Sequence, residues 1–207
     1  MPRTIGLAAH DILCLRGGRI VFRDLSFRLA PGEALLATGP NGAGKTSLLR
    51  QIAGLLPLAA GDLRLEGAGA DAVLPELCHY IGHANAVKAA LSVSENLAFW
   101  ADFLEGDRLG FGRALAAFGL TPLADFPAGL LSAGQKRKLA LSRLFAAPRP
   151  IWLLDEPQSS LDAASLRLLD AAVKDHLDTG GIAIVASHTP LKTKFAHRLK
   201  LGRERLS

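Results

Sequence analysis

The stretch that most restricts what this chain can fold into is Gly39-Pro40-Asn41-Gly42-Ala43-Gly44-Lys45-Thr46. It fits the pattern G-x-x-x-x-G-K-[ST] at every fixed position. An apolar run at 34–38 precedes it, and a helically spaced run at 46–55 follows. A strand feeding a glycine loop and then a helix is the building unit of an α/β domain with a parallel sheet. Small residues let the backbone curl until its N–H groups converge on a polyphosphate, and the helix N-terminus adds partial positive charge. Pro40 lacks an N–H, so the donors begin at Asn41. Gly39, Asn41, Gly42, Ala43 and Gly44 then form the cradle. Lys45 reaches the β- and γ-phosphates, Thr46 offers its hydroxyl to Mg²⁺, and Ser47 adds a further phosphate contact.

Two more apolar runs extend this frame. Residues 151–154 end in Asp155-Glu156, and residues 182–186 lead through Ser187 to His188. Continuous runs of this kind mark strands buried on both faces, and a parallel sheet delivers their C-terminal ends to one edge. Asp155, Glu156 and His188 are therefore expected beside the glycine loop. Strand alternation sends the two carboxylates to opposite faces and so to different roles. Asp155 suits the outer shell of Mg²⁺, and Glu156 suits a general base acting on a water. His188 can hydrogen-bond the γ-phosphate and the same water.

A third element, Leu131-Ser132-Ala133-Gly134-Gln135, opens a predicted helix over 132–146 that stops before Pro148. Ser132 suits the N-cap. Its hydroxyl, the Gly134 N–H and the helix dipole together form an anion site. No second phosphate loop occurs in the sequence.

The remaining pattern fills in around these motifs. Strands are predicted over 7–15 and 19–29 about Arg16-Gly17-Gly18, with Pro31-Gly32 as a turn and a further short strand at 61–66. A helical pattern runs over 91–118, a loop follows at Pro122 and Pro127, a helix covers 161–177, and 198–201 suits a last edge strand. The chain divides into a core with a β-subdomain, about 1–83 and 141–207, and a helical subdomain, about 84–140, within one domain of 207 residues.

Composition excludes several classes. An apolar share of 49% supports a core and argues against disorder. No apolar run approaches the roughly 18–20 residues of a membrane span, and Met1-Pro2-Arg3-Thr4 opens no hydrophobic signal core, which points to the cytoplasm. Cys14 and Cys78 fit no metal spacing and read as reduced thiols. The net charge of +5 gathers towards the end, in Lys192, Lys194, Arg198, Lys200, Arg203 and Arg205. This suits a solvated tail or contact with anionic lipid heads. Nucleic acid is disfavoured as a partner because these residues are not interleaved with stacking aromatics.

Taken together these residues resemble the ATP-binding cassette (ABC) family of ATPases over nearly the whole chain. Gly39 to Thr46 matches its phosphate loop, Leu131 to Gln135 its LSGGQ signature with Ala133 for the first glycine, and Asp155-Glu156 its acidic strand. Ser159-Ser160-Leu161-Asp162 matches the loop that crosses the dimer interface, and His188 the switch histidine. The resemblance implies a mostly parallel core sheet, an N-terminal antiparallel β-subdomain and a helical subdomain. It implies ATP with Mg²⁺, and a head-to-tail homodimer in which Ser132, Gly134, Gln135 and Asp162 of one copy serve the ATP held by the other copy's Lys45. Two positions depart from the family. His83 stands where a glutamine usually links Mg²⁺ and water to the transporter, and the adenine-stacking aromatic is absent, leaving Arg16 or Arg19 to stack through a guanidinium plane.

Within the family, Ile81-Gly82-His83, the LSAGQ form and Ser187-His188 with Pro190-Leu191 are most similar to the ATP-binding subunits of the haem exporter of cytochrome c maturation. That likeness implies integral membrane partners resembling CcmB and CcmC, and a peripheral place on the cytoplasmic face of the bacterial inner membrane. Residues 84–103, with Phe99, Trp100 and Phe103, are either a docking surface for such a partner or helical-subdomain core. The alternatives are another ABC transporter subunit, a soluble ABC-type switch, and a small-molecule kinase. A switch usually carries two cassettes or coiled-coil arms, and no sustained heptads occur here. A kinase needs neither the signature nor the crossing loop.

Overall fold

The computed structural model describes residues 5–106, 110–189 and 191–202. Met1 to Thr4, Pro190, Arg203 and Arg205, which enter the sequence reading, lie outside the described residues. The chain forms two compact units: 1–82, 150–156 and 173–207 in the first, and 83–149 with 157–172 in the second.

The first unit holds two sheets. In one, β1 (Gly6–Arg16) pairs antiparallel with β2 (Arg19–Leu29) and with β4 (Ala60–Glu66), in the order β2-β1-β4. Gly17 and Gly18, at φ 54° and 75°, close the β1–β2 hairpin between the paired Arg16 and Arg19. Two consecutive residues with positive φ match the twist of a tight hairpin, which explains the Gly-Gly pair there. The second sheet is parallel throughout, in the order β5-β6-β7-β3-β8. Its strands are β3 (Ala34–Thr38), β5 (Cys78–Ile81), β6 (Ile151–Asp155), β7 (Ile182–Ala186) and β8 (His197–Lys200).

Every residue of β6 and β7 is buried, as continuous apolar strands covered on both faces require. Leu7, Ile12 and Leu29 from the antiparallel sheet join Leu35, Leu153 and Ile184 from the parallel one, with Leu48, Leu49 and Ile52 of helix α1 (Lys45–Ile52), in one apolar core. Each such side chain contributes about 1.5–3 kcal/mol through burial. Cys14 and Cys78 are buried thiols.

The second unit is helical. α2 (Val93–Phe103), α3 (Phe111–Ala117) and α4 (Ala133–Ala146) surround Val93, Leu97, Ala101, Leu115, Leu131 and Leu139. α5 (Ala163–Asp178) follows β6. The single helical stretch expected over 91–118 is divided. α2 ends at Phe103 with Leu104 as its C-cap, Glu105 takes φ 52°, and the chain at Gly106 passes so close to Ala146 that a Cβ would lie 2.6 Å from its carbonyl oxygen. Among the described residues no helix is long and apolar enough to cross a membrane.

Candidate functional site: the C-terminal edge of the parallel sheet

Register explains why distant residues meet. Ala186 of β7 pairs with Ala37 of β3 on one side and with Asp155 of β6 on the other. The chain leaves all three strands at that level. β3 runs on into the glycine loop, β6 into Glu156, and β7 into Ser187 and His188.

The loop is shaped by its glycines. Gly39, Gly42 and Gly44 have φ of 141°, 81° and 103°. A Cβ on Gly39 would lie 2.4 Å from Leu201 O, and one on Gly44 2.6 Å from Val21 Cγ1 and 2.9 Å from Phe22 Cδ1. Gly42 is different: nothing lies within 4 Å of where its Cβ would point, so the loop is open on that side. Val21 and Phe22 lie just beyond the Gly17-Gly18 hairpin, so their packing against Gly44 sets β2 against the loop. Arg16, at that hairpin, is exposed. Ala43 and Ser47 are buried, and burial pushes up the pKa of the Cys14 thiol.

Lys45 is buried at the start of α1, with Nζ 2.8 Å from Gly39 O and 3.2 Å from Pro40 O. The ammonium therefore lies over the loop. Nζ is also 3.2 Å from His188 Nε2, which is 2.8 Å from Asn41 Oδ1. Thr46 Oγ1 donates to Asp155 Oδ2 at 2.8 Å, and Asp155 is only 3% exposed. A hydroxyl and a carboxylate are hard oxygen donors, the set that suits Mg²⁺.

Glu156 reaches its place by a route that strand alternation does not describe. β6 ends at Asp155, and Glu156 takes φ 45°, the left-handed region that a residue with a Cβ rarely adopts. Its N–H donates to Ala186 O at 2.8 Å. Its carboxylate lies against β7's exit: His188 N–H donates to Oε1 at 3.2 Å, and Ser187 Oγ lies 3.2 Å from Oε2. His188 Nε2 is 3.6 Å from Oε1. The two carboxylates thus have different partners because a left-handed turn separates them. A backbone in so unfavourable a region persists only where its surroundings over-determine it.

Lys45, Asn41, His188, Glu156, Thr46 and Asp155 come together within the first unit. Ser132, Gly134, Gln135, Asp162 and His83 belong to the second unit and have their own arrangements. Ser132 is the N-cap of α4. Its Oγ accepts from Gln135 N–H at 3.2 Å, and Gln135 Oε1 accepts from Ser132 N–H at 2.8 Å. This reciprocal capping box leaves the Ser132 proton able to serve an outside acceptor. A Cβ on Gly134 would lie 2.7 Å from Ser160 O, so the loop at 159–162 demands glycine there. Ala133 is exposed, which explains why it can replace a glycine. Asp162 Oδ1 accepts from Ser165 N–H at 2.7 Å, and hydrogen bonding from the Ser165 side chain and backbone holds its carboxyl below the usual range. His83 is exposed at the opening of the second unit.

Sequence reasoning passed over Arg137 and Arg143. They read as the polar side of a helix, yet they are 2% and 4% exposed. It also left open whether Trp100 is surface or interior. Its Nε1–H donates to Ala86 O at 3.3 Å, and the Arg143 guanidinium sits 4.1 Å from its ring. Trp100 is therefore half-buried and held by its unit, whereas Phe103 is 67% exposed.

The glycine loop between β3 and α1, with Asp155, Glu156 and His188 at the same sheet edge, defines an ATP-binding-cassette ATPase. Residues 22–159 match the family profile described as ABC transporter. A cytochrome c biogenesis ATP-binding export protein CcmA of Nitrobacter winogradskyi is 51% identical over 95% of this chain and 98% of its own. The protein of the same description from Bradyrhizobium diazoefficiens is 52% identical over 89% and 92%. An ABC transporter ATP-binding protein of Pyrococcus furiosus shares the fold, with a TM-score of 0.82 at 23% identity over 95% of this chain and 97% of that one. The chain belongs to the ABC transporter family, within its CcmA branch.

Proposed function

We propose that this chain hydrolyses ATP as the energy-coupling subunit of a membrane complex that handles haem for c-type cytochrome assembly. The observation that carries the reading is the convergence of Lys45, Asn41 and His188 with Glu156 at one sheet edge, beside the Thr46–Asp155 pair. The half-identity to proteins named for cytochrome c biogenesis and export gives it its biological setting.

The N–H groups of 41–46 cradle the phosphates, and Lys45 neutralises the β- and γ-oxygens. Thr46 and Asp155 would hold Mg²⁺, which supplies positive charge to the phosphate oxygens. Glu156 accepts the proton of the attacking water, and His188 orients that water and the γ-phosphate. Arg16 would stack on the adenine through its guanidinium plane. Ser132, Gly134, Gln135 and Asp162 act in trans: two copies close head to tail, and each completes the other's site. His83 takes the usual glutamine's place, linking the ion and water to the transmembrane subunits.

Those subunits resemble CcmB and CcmC, and they hold the chain peripherally at the cytoplasmic face of the bacterial inner membrane. The outward aromatics of α2, Phe99 and Phe103, form part of the docking surface. The test is complementation of a strain lacking its own copy of the gene, read by haem staining of periplasmic c-type cytochromes. Wild type should restore the stained bands and Glu156→Gln should not. Equal staining with and without the wild-type chain would sink the haem assignment.

A further inference from the structure

Among the described residues Arg137 is the largest fully buried side chain, and the phosphate site does not use it. Its Nε–H donates to Pro157 O and an Nη1–H to Asn85 Oδ1, both at 3.1 Å. These partners are 20 and 52 residues away in sequence and lie within the same unit as Arg137. Asn85 stands two residues after His83, and Pro157 directly follows Glu156. The adjoining residue, Ala86, is fixed as well: its carbonyl accepts from Trp100, and the indole carries Arg143 on its face. Burial and the neighbouring Arg137 pull the Arg143 pKa down to about 10. Ala86 has φ 51°. A left-handed alanine persists only where its surroundings over-determine it. α2 and α4 thus hold residues 85–86 at two points, and one of those holds also reaches Pro157.

We propose that Arg137 is a positioning residue that ties the segment after His83 to the backbone after Glu156, so that movement of one is passed to the other. Arginine suits this task because its planar guanidinium carries several donors that diverge in fixed directions, which a lysine ammonium cannot match. A buried cation used only for packing would not need partners on two separate segments. The functional half of the proposal rests on the ATPase reading, and the mechanical half does not.

The test is amide hydrogen exchange on the full-length chain, with ATP turnover measured in parallel. Asn85→Ala removes a half-buried side chain and keeps the fold. It should raise exchange at 158–162, far from Asn85 in sequence, by about fivefold or more. Arg137→Lys should raise exchange at both 84–90 and 158–162. In both variants kcat should fall by about threefold or more while the affinity for a fluorescent ATP analogue changes by less than about twofold. The double variant should be no slower than Arg137→Lys alone, because one linkage is cut in both. If Asn85→Ala loosens only its own neighbourhood, or if the two substitutions multiply independently, the linkage is wrong. If wild type itself does not hydrolyse ATP, the ATPase reading fails, and the exchange pattern still decides the linkage.

Discussion

Thr46 Oγ1 donates to Asp155 Oδ2 across 2.8 Å, joining the first turn of α1 to the last residue of β6. Asp155 is 3% exposed, so its charge needs partners of this kind. If the pair presents its oxygens to Mg²⁺, Thr46→Val and Asp155→Asn should each lower Mg²⁺-dependent ATP turnover by about tenfold or more. Titration of turnover against Mg²⁺ checks this. A shift in the half-saturating concentration supports the assignment, and unchanged curves refute it.

Gly134 faces Ser160 O so closely that a methyl group would lie 2.7 Å away. Gly134→Ala should therefore displace residues 159–162 while α4, capped by Ser132 and Gln135, stays folded. If the signature acts on the other copy's ATP, turnover should fall by about tenfold or more with ATP binding to the single chain nearly intact. Fluorescent-nucleotide titration beside a turnover assay separates these effects. Loss of binding in step with turnover would place the signature in cis.

His176 stacks on Trp152 with ring centroids 3.9 Å apart, and burial lowers its pKa from 6.5 to about 4. The folded state then binds fewer protons than the unfolded state between those values. This contribution to stability is full above about pH 6.5 and is lost progressively as the pH falls towards 4. His176→Phe keeps a ring against Trp152 and removes the proton site, so its melting temperature should decline less steeply over that window. Parallel slopes for the two proteins would contradict the assignment.

Trp100 and Phe103 are in contact on α2 but differ in what else holds them. Trp100→Glu places a charge beside the ring site of Arg143 and breaks the bond to Ala86 O, so it should destabilise the chain by about 2–4 kcal/mol, read by denaturant unfolding. Phe103→Glu alters a residue 67% exposed and should leave stability within about 0.5 kcal/mol. It should instead weaken co-purification with the membrane subunits. The reverse pattern would make Trp100 the docking residue.

How legible all this was in the sequence depended on the range of the forces involved. β3 and β7 lie where the apolar runs 34–38 and 182–186 place them, because burial on both faces writes itself into consecutive residues. The Ser132 cap was equally local, since S-x-x-Q states both halves of its own box. β5 escaped notice: four residues, including His79 and Tyr80, are too few to show a period, and only pairing with β6 makes them a strand. The separation of Asp155 from Glu156 was expected from alternation but comes from a left-handed turn, which residue type does not announce. Arg137 was invisible for a related reason. A basic residue among Lys136 and Lys138 reads as a solvated face, and its burial depends on Asn85 and Pro157, far away in sequence.

The central claim is that Glu156 accepts a proton from water in a site that two copies complete together. Glu156→Gln keeps the shape and the bond from His188 N–H while removing the base. Sedimentation of this variant with ATP and Mg²⁺, alongside its turnover rate, tests the claim most directly. Turnover should fall by about a hundredfold or more, and ATP should convert the chain to a stable dimer that ADP does not support. Near-normal hydrolysis, or a chain that stays monomeric with ATP bound, would contradict it.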